Sequence, residues 1–134
     1  MDWIQTQNPS ATHCWVAGFS FGSWIGMQLM MRRPEIKGFI SLSAPALTRD
    51  FAFLAPCPSS GLFIHGSDDE IVPSLALSRV LEKISIQKGA VIKDIIIQGA
   101  DHFFNDHNNE MVDAVGKYLD TRLDKDGNFI SNNK

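Results

Sequence analysis

The chain reads as an α/β protein, a mostly parallel sheet of about four strands flanked by helices. Three observations predict this. Apolar strand-like runs alternate with helix-like runs along the 134 residues, the order that buries a parallel sheet under its crossover connections. A turn of alternating small residues, Gly18-Phe19-Ser20-Phe21-Gly22, joins the first of those strands to the helix behind it. Residues able to do chemistry then follow the ends of two further apolar runs, and parallel α/β sheets collect their functional groups at the carboxyl ends of strands.

Each element has its own signal. Residues 2–7 read as the end of a helix, stopped near Asn8-Pro9. Residues 13–19 are a strand around Cys14-Trp15-Val16-Ala17. Residues 21–33 are a helix that Pro34 ends, because proline disfavours helical geometry in the residue before it. Gly22 and Gly26 lie one turn apart and should give that helix a flat stripe against the sheet. Residues 38–43 and 61–66 are the next strands. Residues 74–87 form a helix with Leu77, Val80, Leu81 and Ile84 on one face. Residues 91–98 are a fourth strand. Residues 107–123 are a helix facing inward with Met111, Val115, Tyr118 or Leu119, and Leu123. The four strands should lie parallel in sequence order. Helices 21–33 and 107–123 should share one face, with 74–87 on the other face or on the flank. The connection from Ala44 to Ser60 is long for a plain loop and reads as a binding loop.

Composition narrows the partners. Hydrophobic content of 44% and charged content of 20% are ordinary for a soluble domain with a real core. A net charge of −3 with no basic stripe argues against nucleic acid and anionic membrane surfaces. Gly18, Gly22 and Gly26 fall at four-residue spacing in the apolar stretch from Trp15 to Met31, as in packed membrane helices. Ser20, Ser23 and Gln28 interrupt that stretch, so no membrane span is expected. Cys14 and Cys57 fit no zinc or redox spacing and read as free core thiols. No basic segment leading into an apolar one opens the chain, so a cytoplasmic location is expected.

The chemistry starts at Ser20. A serine hydroxyl is a weak nucleophile until a histidine takes its proton and a carboxylate orients that histidine. The strand–turn–helix context forces such a serine onto a sharp turn that projects its hydroxyl from the sheet. Leu62-Phe63-Ile64-His65-Gly66 runs into Ser67-Asp68-Asp69-Glu70, and Ile95-Ile96-Ile97-Gln98 runs into Gly99-Ala100-Asp101-His102. Acid and base therefore follow the serine in order. Asp68 and Asp69 both suit a helix cap or the acid role, and Glu70 reads as solvated charge. His102 is the candidate general base. His65 reads as a structural partner of the acid loop, and His13 and His107 as edge or surface residues. Asp101, His102, Asp106 and His107 cluster, but histidines five apart do not share a helical face, so no metal is expected. Asp124-Lys125-Asp126-Gly127-Asn128 places its glycine too early for a calcium loop and reads as solvated tail.

Together, Val16-Ala17-Gly18-Phe19-Ser20-Phe21-Gly22, Ile64-His65-Gly66 with Asp69-Glu70-Ile71-Val72-Pro73, and Gly99-Ala100-Asp101-His102-Phe103 resemble the α/β-hydrolase superfamily. The nearest resemblance is to small, capless bacterial serine hydrolases related to dienelactone hydrolase. It covers about residues 14–123. It implies Ser20 as nucleophile, His102 as base and Asp69, three residues before Val72, as the acid. It also implies the backbone N–H of Phe21 as an oxyanion-hole donor, no cofactor, and a small acyl substrate. Two departures stand out. Dienelactone hydrolase carries cysteine at the elbow, where this chain has Ser20. The superfamily sheet also has further strands ahead of the elbow strand, so residues 1–123 would be the C-terminal portion of a hydrolase domain and 124–134 a polar, disordered tail. The absent part would include a second oxyanion donor and the neighbours of strand 13–19. A homodimer mate or an N-terminal complementing chain is then an expected partner. The competing expectation is a catalytically silent half-hydrolase that acts only in assembly.

Overall fold

A computed structural model describes residues 2–11, 13–54, 57–85, 90–124 and 129–130. The elements run α1 (Asp2–Gln7), β1 (Cys14–Phe19), α2 (Phe21–Arg32), β2 (Ile36–Leu42), a single 3-10 turn (Ala52–Leu54), β3 (Gly61–Gly66), α3 (Ser74–Ser85), β4 (Ile92–Ile97) and α4 (Asn108–Arg122). The strands form one four-stranded sheet in the order β1-β2-β3-β4. All three pairings are parallel. β3 lies inside the sheet and is buried at every position, which is why it reads as a continuous apolar run.

Two cores flank the sheet. On one face Met27 and Met30 of α2 and Leu77, Leu81 and Ile84 of α3 close over Phe39 and Phe63. The two phenyl rings meet edge to face at 5.3 Å. On the other face Tyr118, Met111, Val115 and Leu119 of α4 cover Ile40, Leu62, Ile64 and Ile97. The helix placement therefore corrects the expectation: α2 and α3 share a face and α4 holds the other. The reason is handedness. The strands step in one direction across the sheet, and right-handed crossovers put every connecting segment on the same side. α4 follows the last strand, connects to no further one, and takes the open face.

The same rule explains residues 44–60. Phe51, Leu54 and Cys57 sit in the α2/α3 core. The segment is the β2-to-β3 crossover and covers the sheet where a helix ordinarily would. Trp24 Nε1 donates to the Asp50 carbonyl at 3.0 Å and ties this crossover to α2. Burial raises the Cys57 thiol pKa, as expected of an inert core cysteine. Cys14 is a free thiol, and Cys57 Sγ donates to the Ser59 carbonyl at 3.2 Å.

Close strand–helix approach depends on Gly18 rather than on the glycines that follow it. A Cβ at Gly18 would fall 2.6 Å from Ser23 Cα and against the Gly22 carbonyl. A Cβ at Gly22 would meet nothing within 4 Å, while Gly26 faces Val16 of β1. The flat stripe expected of Gly22 and Gly26 is thus made by Gly26 alone. Gly18→Ala is expected to destabilise the fold by about 1–3 kcal/mol through overpacking. Gly22→Ala is expected to be neutral or stabilising, because alanine favours a helix by about 1 kcal/mol. Thermal unfolding of the two variants checks the contrast, and equal losses would contradict it.

At the chain ends, Arg33 Nη2 donates to Asp2 Oδ1 at 2.6 Å and to Glu35 Oε2 at 3.0 Å, fastening α1 to the turn before β2. The Arg33 hydrogen bond pulls the Glu35 pKa down to about 2. Leu123 and Phe129 form an antiparallel bridge, and the Phe129 ring lies 4.2 Å from His13. The calcium-like residues 125–128 and the end at 131–134 lie outside the described residues. No helix among the described residues is long and apolar enough to cross a membrane.

Candidate active site

Ser20 caps α2 with φ 53° and ψ −123°. Few non-glycine residues occupy that region, and holding one there costs about 1–3 kcal/mol. The neighbours supply the restraint. Ser20 N–H donates to the Leu42 carbonyl at 2.8 Å, fixing the turn to the end of β2, and the Ser20 carbonyl accepts from Ser23 N–H at 2.9 Å. Gly18 lets the helix turn back tightly over the strand. Phe21 is the first residue of α2, so its N–H has no carbonyl one turn back to bond within the helix.

The acid loop leaves β3 at Gly66, where a side chain would run into the Ala100 carbonyl of the neighbouring loop. Its two aspartates have different fates. Asp68 is exposed and accepts from Ser67 Oγ at 3.3 Å. The Asp69 carboxylate is wholly buried. Its Oδ1 accepts from the N–H groups of Ile71 at 2.9 Å and Val72 at 2.7 Å. Oδ2 is left to face a histidine.

That histidine is His102, on the loop after β4. Its Nδ1 lies 2.7 Å from Asp69 Oδ2, and its Nε2 lies 2.9 Å from Ser20 Oγ. A carboxylate can only accept, so Nδ1 carries a proton toward Asp69 and Nε2 is free to accept from the Ser20 hydroxyl. The loop is held from within. Asp101 accepts from Asn105 N–H at 2.9 Å, from Asn105 Nδ2 at 2.8 Å and from Phe103 N–H at 3.1 Å. The Asn105 backbone bond, with the Asn105 side chain behind it, holds the Asp101 carboxyl below its ordinary pKa. Positive φ at Phe104 and Asp106 completes the turn.

The structure thus brings together Ser20, Asp69 and His102, and Phe21 follows the serine as the first residue of α2. Their surroundings are apolar and open. Phe19 and Phe103 pack on the His102 ring, with centroids at 5.5 and 5.1 Å, yet both remain exposed. Arg49 stacks 4.9 Å over the exposed Phe21 ring.

The other histidines lie elsewhere. His65 does not serve the acid loop. The pleat of β3 turns it to the Phe63 side, where its Nδ1 lies 3.3 Å from Asp94 Oδ1 of β4. His107 caps α4 and pairs with Glu110 at 2.9 Å. Among the described residues no three potential ligands gather into a metal site. Ser43 escaped notice in the sequence. It is fully buried and donates from Oγ to the His102 carbonyl at 2.7 Å. A serine at the end of a buried strand carries no sequence signal for such a bond.

No protein-family model matches the chain. An uncharacterized protein of Rickettsia prowazekii is 44% identical over 125 residues, covering 90% of this chain and 52% of that protein. The crystal structure of an Agrobacterium tumefaciens protein of unknown function, named as a candidate alpha/beta hydrolase, superimposes with a TM-score of 0.87 at 50% identity, over 90% of this chain and 56% of that one. A Xanthomonas campestris α/β serine hydrolase without a lid gives a TM-score of 0.75 at 27% identity, over 89% and 51%. A Klebsiella pneumoniae protein named as a dienelactone hydrolase, 15% identical with a TM-score of 0.69, shares the fold alone. The chain spans about half the length of the relatives it matches. With its parallel sheet and its helices on both faces, the chain has the α/β-hydrolase fold of these neighbours and spans about half of their length.

Proposed function

We propose that this chain carries the reacting groups of a serine hydrolase that cleaves a small ester or similar acyl substrate. The observation behind this reading is the unbroken hydrogen-bonded chain from Ser20 Oγ through His102 to a buried Asp69. Ser20 Oγ attacks the acyl carbon while His102 Nε2 takes its proton. Asp69 holds the imidazole in the tautomer that can do so and stabilises the imidazolium that forms. Phe21 N–H donates to the oxyanion. His102 returns the proton to the leaving alcohol, and water releases the acyl group by the same steps in reverse order. The exposed Phe19, Phe21 and Phe103 favour a small substrate with an apolar part.

A second reading has its own support. β1 has a sheet partner on one side only among the described residues, and the relatives are about twice as long. Loss of one donor from an oxyanion pair lowers the rate by about 10²–10³. On this reading the chain works only when a second chain, an N-terminal complement or another copy, completes the sheet.

Labelling with a fluorophosphonate probe separates the two. Labelling of Ser20 in the isolated chain supports the first reading. Labelling that requires an added N-terminal segment supports the second. No labelling in either state would overturn both.

The acid assignment has a sharper test. Asp69→Asn removes the carboxylate that fixes the His102 tautomer, and such a change costs about 10⁴ in kcat in a serine protease. Asp68→Asn touches an exposed bond to Ser67 and should leave ester turnover within about twofold. Steady-state kinetics of the pair checks this, and the reverse order would sink the assignment.

A further inference from the structure

The end of β2 is a bracket that joins every part of the site. The Leu42 carbonyl accepts Ser20 N–H at 2.8 Å. The next residue, Ser43, donates its N–H to the Ile64 carbonyl of β3 at 2.9 Å. Its Oγ donates to the His102 carbonyl at 2.7 Å. Two consecutive residues therefore hold the serine turn, the strand that leads to Asp69, and the histidine loop. Ser43 does this with φ 50°, in the left-handed region that favours glycine. A serine strained in its backbone and wholly buried is costly for the fold alone. Glycine would meet the backbone demand better. What serine adds at this place is the hydroxyl.

We infer that Ser43 is a positioning residue: its hydroxyl sets the place of His102 relative to Ser20 by holding the His102 carbonyl to β2. The inference rests on the reading of Ser20 and His102 as nucleophile and base. The His102 ring is fixed at both nitrogens, to Asp69 and to Ser20, but those bonds act on the side chain alone. Ser43 acts on the backbone from which that side chain hangs. Without it, the 101–105 loop keeps its internal Asp101 bonds and can shift as a body. A misplacement of about 1 Å costs roughly 10²-fold in rate.

Two variants separate positioning from stability. Ser43→Gly relieves the strained φ while deleting the hydroxyl. Ser43→Ala deletes the hydroxyl and keeps the strain. Both are expected to lower kcat for a short ester by about 10- to 100-fold with KM nearly unchanged. Ser43→Gly should keep the parent's thermal midpoint. A second readout is independent of turnover. The His102 Nδ1 proton, hydrogen-bonded to Asp69, should give a low-field proton resonance in the isolated chain, assigned by its loss in His102→Gln. Ser43→Gly is expected to shift or broaden that resonance. An unchanged resonance in a folded Ser43→Gly chain, or a fall in activity that follows the fall in thermal midpoint in both variants, would overturn the inference. If Ser20→Ala keeps its turnover, the underlying reading fails instead, and the resonance test still decides whether Ser43 positions His102.

Discussion

Ser20→Ala is expected to lower kcat toward short acyl esters by about 10⁶, the loss seen when the nucleophile of a comparable serine enzyme is removed. The effect should be chemical and not structural. Ser20 is held on its turn by backbone bonds, from its N–H to Leu42 and from Ser23 to its carbonyl, and alanine keeps both. The backbone strain at φ 53° is much the same for serine and alanine. The variant should therefore unfold at nearly the parent's temperature while losing turnover and probe labelling together. The measurement is run on whichever form of the protein shows activity, alone or completed by a second segment. Retained turnover would mean a contaminating enzyme or a different reacting group, and it would remove the ground for reading Ser20, His102 and Asp69 as a working unit.

Much of this arrangement is visible in the sequence because parallel α/β folds put chemistry at strand ends. Ser20, Asp69 and His102 each follow an apolar run, and the order of the three strands in the sheet is their order in the chain. Helix existence is equally legible. The Leu77, Val80, Leu81 and Ile84 face of α3 is the face that meets the core. What pattern does not carry is the side of the sheet each helix takes. That depends on the hand of the crossovers, and applying that rule would have paired α2 with α3. The 44–60 segment misleads for a related reason. Its prolines and length resemble a loop, yet Phe51 and Leu54 are drawn inward because the sheet needs cover there. Ser43 is hidden for a third reason. Its partner is a backbone carbonyl 59 residues away, and no local spacing encodes a contact of that kind.

The isolated chain is expected to associate through β1. This strand forms one edge of the sheet. Between Cys14 and Phe19 it carries no charge and no proline, the devices by which edge strands ordinarily avoid pairing. α1 buries none of its own residues, and Trp3 is 73% and Ile4 50% exposed. The helix that follows adds to the unpartnered surface. Phe21, Ile25 and Leu29 of α2 lie four residues apart, so they share one face. All three are exposed, where a surface helix ordinarily presents polar side chains. Each is already about half-buried, so covering the rest would contribute about 1 kcal/mol apiece. The unpaired strand edge adds backbone hydrogen bonds to that gain. The relatives, about twice as long, contain chain enough to cover both. Light scattering is therefore expected to find the isolated chain dimeric or aggregating, and to find a 1:1 complex when a segment equivalent to the relatives' unmatched half is added. Ile25→Lys with Leu29→Glu should weaken either association while leaving the buried Met27 and Met30 face of the helix in place. A clean monomer at high concentration that also ignores the added segment would show the edge to be self-sufficient, and would leave the exposed α2 stripe as ordinary surface.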